Sequence, residues 1–145
     1  MKKTSILFIL FFMLGLSSSL SAQTFSLNSL KGKTWRAVSG YNLSDKMNLS
    51  IYFYSAYATY NISSKDNQIS KEYNRDFYLS DTIVKSIDRS KVGKIKTGKY
   101  IIRCDSKSYE ARQKFSVFEI ISLTSNKLVL KTCGSDKLTI TYVTD

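Results

Sequence analysis

The chain of 145 residues contains no histidine and no proline. Without histidine there is no imidazole to act as a general base, to activate a nucleophile or to bind a metal. Catalysis by Ser-His or Cys-His pairs is therefore excluded, and the eleven acidic residues show no spacing typical of a catalytic carboxylate pair. We expect a protein that is not an enzyme and uses no cofactor. The missing proline leaves no sign of a linker.

Long hydrophobic runs are also scarce, because only residues 6–16 form one. This run follows two lysines and precedes small residues ending at Ala22, which is the order typical of a secretory signal peptide. About eleven apolar residues are too few to cross a bilayer, which needs about twenty. We therefore expect a signal peptide over residues 1–22, no transmembrane segment, and one periplasmic or secreted domain over residues 23–145.

Cysteine is limited to Cys104 and Cys133. Neither stands at the predicted cleavage site, so we expect no lipoprotein, and two cysteines without histidine cannot complete a four-ligand zinc site. Export to an oxidising compartment makes a Cys104–Cys133 disulfide one alternative. The other is two free thiols: if one strand lies between them, they are about 9.6 Å apart, and a bridge needs Cα atoms within about 7 Å.

Positive charge is in large excess, with 22 basic and 11 acidic residues in the whole chain. Seven of the basic residues fall between Lys85 and Arg103, where Asp88 is the one acid. This segment is either a solvated surface or a surface for an anionic glycan, a lipid head group or nucleic acid. Export makes nucleic acid the least expected of these partners.

Short windows rich in Tyr, Phe, Ile, Val and Thr alternate with turn residues, and no sustained helical period is visible. From Met47 to Phe53, every second residue is apolar, as in a half-buried strand. Even spacing of such windows favours a barrel or a sandwich. Residues 25–30 are predicted to form a short helical turn or coil across one end. The nine predicted strands are Thr34–Val38, Met47–Phe53, Ala56–Ile62, Tyr73–Leu79, Thr82–Ser86, Lys99–Cys104, Phe115–Ser122, Lys127–Thr132 and Lys137–Val143.

The one tryptophan closes the sequence Leu-Lys-Gly-Lys-Thr-Trp, from Leu30 to Trp35. This segment resembles the Gly-x-Trp opening of lipocalins and of small secreted lipocalin-like proteins of Gram-negative bacteria, with one residue more between Gly and Trp. Segments 76–81 and 90–102 are similar to the same proteins. The resemblance implies an all-β fold, a single antiparallel up-and-down β-barrel of about eight to nine strands, with Trp35 across its closed end.

A barrel of this size is either filled by its own side chains or holds one small ligand against its lining. From this lining we select Tyr60, Phe77, Tyr100 and Tyr142 as candidate ligand-binding residues, together with Arg75. The full inward set predicted from alternation is Phe53, Tyr60, Phe77, Leu79, Tyr100, Ile102, Leu128, Leu130, Leu138, Ile140 and Tyr142.

Arg75 is selected because it shares a strand face with Tyr73 and Phe77. A charge that faces inward must be paired or reach water. Glu119 is one candidate partner if its strand turns that face inward, whereas the opposite parity points Phe118 and its alternate neighbours inward. Arg75 then either anchors an anionic head group at the barrel mouth or is an ordinary strand-end arginine.

These observations favour an exported, monomeric, non-catalytic protein that binds a small amphipathic or anionic ligand in a barrel cavity. The alternative is an envelope interaction protein or inhibitor that binds an acidic glycan or protein through a basic exterior on which Tyr52, Tyr54 and Tyr57 are exposed together. A carboxylate-dependent hydrolase would need two carboxylates facing across a cleft. A cavity of at least about 300 Å³ would favour the first hypothesis, and a solid core with an exposed aromatic patch the second.

Overall fold

A computed structural model describes residues 23–40, 46–66, 68–106 and 114–145. The predicted signal peptide lies outside the described residues. In chain order the elements are β1 (Phe25–Ser26), α1 (Leu27–Leu30), β2 (Thr34–Ser39), β3 (Met47–Phe53), β4 (Tyr57–Ser64), β5 (Ser70–Ser80), a 3₁₀ turn (Arg89–Lys91), β6 (Thr97–Gly98), β7 (Tyr100–Cys104), β8 (Phe115–Leu123), β9 (Lys127–Thr132) and β10 (Thr139–Val143).

Eight of these strands form a closed barrel in the order β10-β2-β3-β4-β5-β7-β8-β9. Every neighbouring pair is antiparallel, and β10 closes the ring by pairing with both β9 and β2. The remaining strands, β1 and β6, pair with each other in a separate two-stranded piece. The predicted fold class, an all-β up-and-down barrel, is confirmed. Within the described residues, no helix has both the length and the apolar character needed to span a membrane.

The predicted strand Thr82–Ser86 is wrong, because these residues belong to an irregular connection between β5 and β6. Ser80 ends β5 by a local turn in which its hydroxyl accepts a hydrogen bond from the Thr82 amide (3.2 Å) and donates one to the Thr82 carbonyl (2.7 Å). The barrel closes with eight strands and leaves no neighbour for a ninth, and Ile83 is 58% exposed. Local β-propensity is overridden because a strand needs a pairing partner.

One end of the barrel is closed by α1, whose Leu27 and Leu30 pack into the core. Ser26 caps this helix by accepting a hydrogen bond from the Asn28 amide (3.2 Å). Trp35 is fully buried beside it, and its indole Nε1 donates to the Leu30 carbonyl (2.9 Å). This end is consequently filled by side chains, and the expected short helical turn across it is confirmed.

Most of the predicted inward residues do lie in the buried core, and Leu138 lies at the open end with 38% exposure. On β7 the prediction for Tyr100 and Ile102 is wrong. Leu79 pairs with Ile101, which is in the core, so the alternate residues Tyr100 and Ile102 point outward. The core residues among those predicted are Phe53, Tyr60, Phe77, Leu79, Leu128, Leu130, Ile140 and Tyr142.

The parity of β7 was mistaken because the connection 81–96, here called the strap, covers the outside of the barrel at this strand. The Asp88 amide in the strap donates to the hydroxyl of Tyr78 (3.2 Å), which pairs with Ile102. Ile102 is therefore fully buried although it faces outward. A strand covered on both sides is apolar on both faces. The alternation of apolar and polar residues then does not show which face points into the barrel.

Candidate functional site

The end of the barrel opposite α1 opens into a cleft of about 620 Å³. It is lined by residues of β3, β4, β5, β7, β8, β9 and β10 and of the connection between β5 and β6. The lining contains no carboxylate among the described residues, and Arg103 is its one charged side chain. The lining residues are Leu49, Tyr60, Ile62, Tyr73, Ile83, Val84, Arg103, Phe115, Ser116, Val117, Phe118, Thr132, Cys133, Gly134, Leu138 and Ile140.

Arg103 faces the interior because it pairs with the core residue Phe77 on β5. Its side chain is only 21% exposed. Nε donates to Asp105 Oδ1 (2.6 Å), and Nη2 donates to Ser116 Oγ (3.4 Å). The Ser116 hydroxyl in turn donates to the other carboxylate oxygen of Asp105. Three polar groups thus form one closed network at the wall of an otherwise apolar cleft.

Two aromatic rings flank the Arg103 guanidinium, with centroids 5.2 Å away for Tyr60 and 5.0 Å away for Phe118. Burial disfavours the charged form of Arg103, but Tyr60 and Asp105 outweigh this effect and raise its pKa above the ordinary range. Arg103 is therefore a cation, and both rings lie at a distance suited to a cation–π contact.

The aromatic contacts continue from Tyr60 to the neighbouring strand β5. Tyr73 stacks on Tyr60 with ring centroids 5.4 Å apart and an interplanar angle of 7°. Arg75 then lies over Tyr73, with its guanidinium carbon 4.7 Å from the ring centroid. Arg75, Tyr73, Tyr60 and Arg103 consequently form a continuous stack, here called the arginine–tyrosine stack, along the inner wall.

Arg75 lies on the face predicted for it, together with Tyr73 and Phe77. Of the two alternatives for β8, the structure has Phe118 and Ile120 inward, so Glu119 is not a partner of Arg75. Glu119 points outward and forms an ion pair with Lys99 (3.0 Å). Arg75 instead donates to the carbonyl of its neighbour Asn74 (3.0 Å).

Of the five predicted ligand-binding residues, the structure places only Tyr60 in the cleft lining. Arg75 is outside the lining, although it contacts the lining residue Tyr73. Phe77 and Tyr142 are fully buried in the core. Tyr100 is on the outer surface, where Lys99 Nζ lies 5.6 Å from its ring centroid.

Both cysteines are free thiols. Cys104 is buried on the outer face of β7, and Cys133 follows β9 at the edge of the cleft. Strand β8 pairs with both β7 and β9, so it separates the two thiols. Two interstrand spacings exceed the reach of a disulfide, and this favours the free-thiol alternative. Burial raises the pKa of both thiols. The described residues contain no cluster of acidic and cysteine side chains suited to a metal ion.

Arg103 is the site residue that sequence reasoning missed, since it was counted only as the end of the basic segment. One sequence signal does exist, because Arg103 lies on the same strand face as Ile101. However, Ile101 and Ile102 are equally apolar, so the sequence does not show which face of β7 points inward. That depends on the strap. Asp105 and Ser116 come from separate segments and meet only when β7 pairs with β8.

Comparison with known proteins gives no match: no family model, no curated protein and no solved structure matches this chain. The closed eight-stranded barrel is consistent with a lipocalin-like fold. What the open end can bind must therefore be derived from its own residues.

Proposed function

We propose that this is an exported, non-catalytic binding protein that holds a small, partly apolar molecule in the cleft at the open end of its barrel. The observation that carries the proposal is the cleft itself. Its volume of about 620 Å³ lies within the range of small-molecule sites, which is about 300–1,000 Å³. Its wall combines many apolar side chains with a few polar groups, as such sites do.

The two arginines of the arginine–tyrosine stack differ in whether their charge is already paired with a carboxylate. The charge of Arg103 is balanced by Asp105 at 2.6 Å. Among the described residues Arg75 takes part in no ion pair and keeps only a neighbouring carbonyl and the Tyr73 ring. Arg75 is not a lining residue, but it lies over Tyr73, which is one. An acidic head group that extends past Tyr73 would therefore meet Arg75, while the apolar part of the ligand contacts residues such as Leu138 and Phe118 in the cleft.

A binding role is also favoured over hydrolysis by the chemistry of the lining. The cleft has no carboxylate among its described lining residues, and the chain has no histidine. Proton transfer at neutral pH would lack its usual donors and acceptors. Export is proposed from the charged, apolar and small-residue order of residues 1–22, and a secreted lipocalin-like protein would have this arrangement.

The first test measures binding of decanoate and decanol by isothermal titration calorimetry. The two ligands have alkyl chains of equal length, so the difference between their affinities reports the contribution of the head group. We expect both to bind, and Arg75→Ala to weaken decanoate about tenfold, the loss of one charge-assisted hydrogen bond, with little effect on decanol. Equal loss for both ligands would contradict the role of Arg75.

The second test blocks the cleft by size. Leu138→Trp places a larger side chain in the lining and should abolish binding of both probes. Ile121→Trp is the matched control, because Ile121 is 45% exposed and is not in the lining. Native mass spectrometry of protein purified from its own host adds the identity of a retained molecule. If neither probe binds and no molecule is retained, the binding proposal is wrong.

A further inference from the structure

A second feature lies on the outside of the barrel, at the closed end. Tyr54 and Tyr57 are stacked, with ring centroids 4.6 Å apart and an interplanar angle of 22°. Tyr52 lies next to Tyr54 at 4.8 Å. We call these three residues the tyrosine row. It lies at the turn between β3 and β4, so it is remote from the cleft, which opens at the other end of these strands.

The tyrosine row is not part of the core. Tyr54 is 41% and Tyr57 36% exposed. Tyr52 pairs with Thr59 and alternates with the core residues Ile51 and Phe53, so its side chain points outward. Adjacent exposed rings are unusual on a surface without a partner, whereas rigid, amphipathic tyrosine is enriched in binding surfaces.

Hydroxyl and amide groups surround the row. Thr34 and Thr59 flank Tyr52 on the two neighbouring strands. The Thr59 hydroxyl donates to the side-chain carbonyl of Asn74 (2.7 Å), on the next strand. Exposed aromatic rings beside hydroxyl and amide groups offer both contacts that a sugar ring needs, one for its C–H groups and one for its hydroxyls.

The charge near the row is positive. Lys31 Nζ donates to Ser55 Oγ (3.1 Å), in the turn that carries Tyr54. The strap reaches the same turn, since a Cβ added at Gly93 would lie 3.2 Å from the Cβ of Ala56, and Lys94 follows directly. Among the described residues, neither Lys31 nor Lys94 has a carboxylate partner.

The acids in this region are already paired. Asp76, which lies opposite Tyr57 on β5, forms an ion pair with Arg89 (3.5 Å). Asp88 is paired with Lys91 (3.8 Å). The net positive charge beside the row therefore favours a partner with negative charge.

We propose that the tyrosine row and the neighbouring lysines form a binding site for an acidic polysaccharide. Sugar rings pack against the exposed parts of Tyr54 and Tyr57, and carboxylate or sulfate groups contact Lys31 and Lys94. A peptide that adds a strand is less well served, because β3 and β4, which adjoin the tyrosine row, are each paired on both sides. This site is independent of the cleft and of its ligand.

The test is calorimetric titration with oligogalacturonate, its methyl ester, a heparin fragment and oligoglutamate. The ester keeps the sugar backbone but removes the charge, and oligoglutamate keeps the charge but removes the sugar. We expect at least one acidic oligosaccharide to bind more tightly than the ester and oligoglutamate, with an affinity that falls as salt rises. Failure of both acidic oligosaccharides to bind, or equal binding of oligoglutamate, would overturn the proposal.

Variants separate stacking from charge. Tyr54→Ala with Tyr57→Ala should weaken binding of the acidic oligosaccharide roughly tenfold or more, since both stacking rings are lost. The matched control, Val38→Ala with Ile69→Ala, removes exposed apolar side chains elsewhere and should have no effect. Lys31→Ala with Lys94→Ala should reduce the preference for the acid over its ester. If the tyrosine variant keeps its unfolding midpoint and binds the acidic oligosaccharide unchanged, binding is only non-specific attraction to positive charge, and the proposed site is wrong.

Discussion

Arg103 and Asp105 flank Cys104 at the mouth end of β7, and the Arg103 guanidinium donates a 2.6 Å hydrogen bond to the Asp105 carboxylate. Their side chains are 21% and 22% exposed. The barrel thus contains a partly buried ion pair beside the cleft at its open end. Because a buried charge without its partner is unfavourable, this pair holds the Arg103 side chain in place as well as neutralising it.

Asp105→Asn should lower the free energy of unfolding by about 2 kcal/mol, because Arg103 would lose its carboxylate while remaining partly buried. Urea denaturation measures the change. Asp145→Asn is the control, since the Arg36–Asp145 pair has a similar distance, 2.7 Å, but side chains that are 56% and 93% exposed. That variant should change stability by less than about 0.5 kcal/mol. Equal effects of the two variants would contradict a structural role for the Arg103–Asp105 pair.

Trp35→Phe should destabilise the protein by about 2 kcal/mol, because it removes the hydrogen bond to the Leu30 carbonyl and leaves a small cavity. Trp35→Ala should cost about 4 kcal/mol. Circular dichroism during urea unfolding is the suitable measurement, since these variants lack the one tryptophan. Lys33→Ala tests the cation above the same ring, 5.0 Å from its centroid, and should cost at most about 1 kcal/mol.

Gly98→Ala should destabilise the protein by more than about 2 kcal/mol, because a Cβ there would lie 2.6 Å from the Ser80 amide nitrogen. The clash would separate β6 from β5. Gly134→Ala is the matched control, since its Cβ meets nothing within 4 Å. Differential scanning calorimetry should show a lower Tm for Gly98→Ala and almost no change in Tm for Gly134→Ala. Comparable Tm values for the two variants would show that the backbone at Ser80 moves easily to accommodate a Cβ at residue 98.

Cys133 should react with iodoacetamide in the native protein before Cys104, which is only 1% exposed. Peptide mass spectrometry after brief alkylation measures the order, and an oxidised pair in the native protein would contradict the free-thiol geometry. Burial raises the pKa of Cys104, so the folded chain keeps a proton that the unfolded chain releases above about pH 8.5. The stability of the wild type relative to Cys104→Ala should therefore be constant below that pH and fall above it.

Prediction from the sequence was most reliable where one face of a strand is buried and the other is solvated. The predicted strand from Met47 to Phe53 matches β3 over its whole length. The prediction for Thr82–Ser86 failed because a ninth strand had no partner in the closed ring. Propensity thus indicated which segments could extend, and pairing determined which of them did.

Of the residues predicted for a ligand site, Tyr60 lies in the cleft lining. Tyr60 and Arg75 were placed on the inner face correctly, because each alternates with residues of clear character on its own strand. Tyr100 was assigned to the wrong face, and Arg103 was missed. Both errors concern β7, which is apolar on both faces where the strap covers it.

The sequence by itself determined the all-β class, the approximate positions of the barrel strands and the buried faces of most of them. These properties depend on a local period of two residues and on turn residues between the windows. The tertiary structure decided that the barrel closes with eight strands, that Arg103 faces the cleft and that β8 separates Cys104 from Cys133. These depend on long-range pairing and on the strap across β7, which join residues distant in the chain and leave no local pattern.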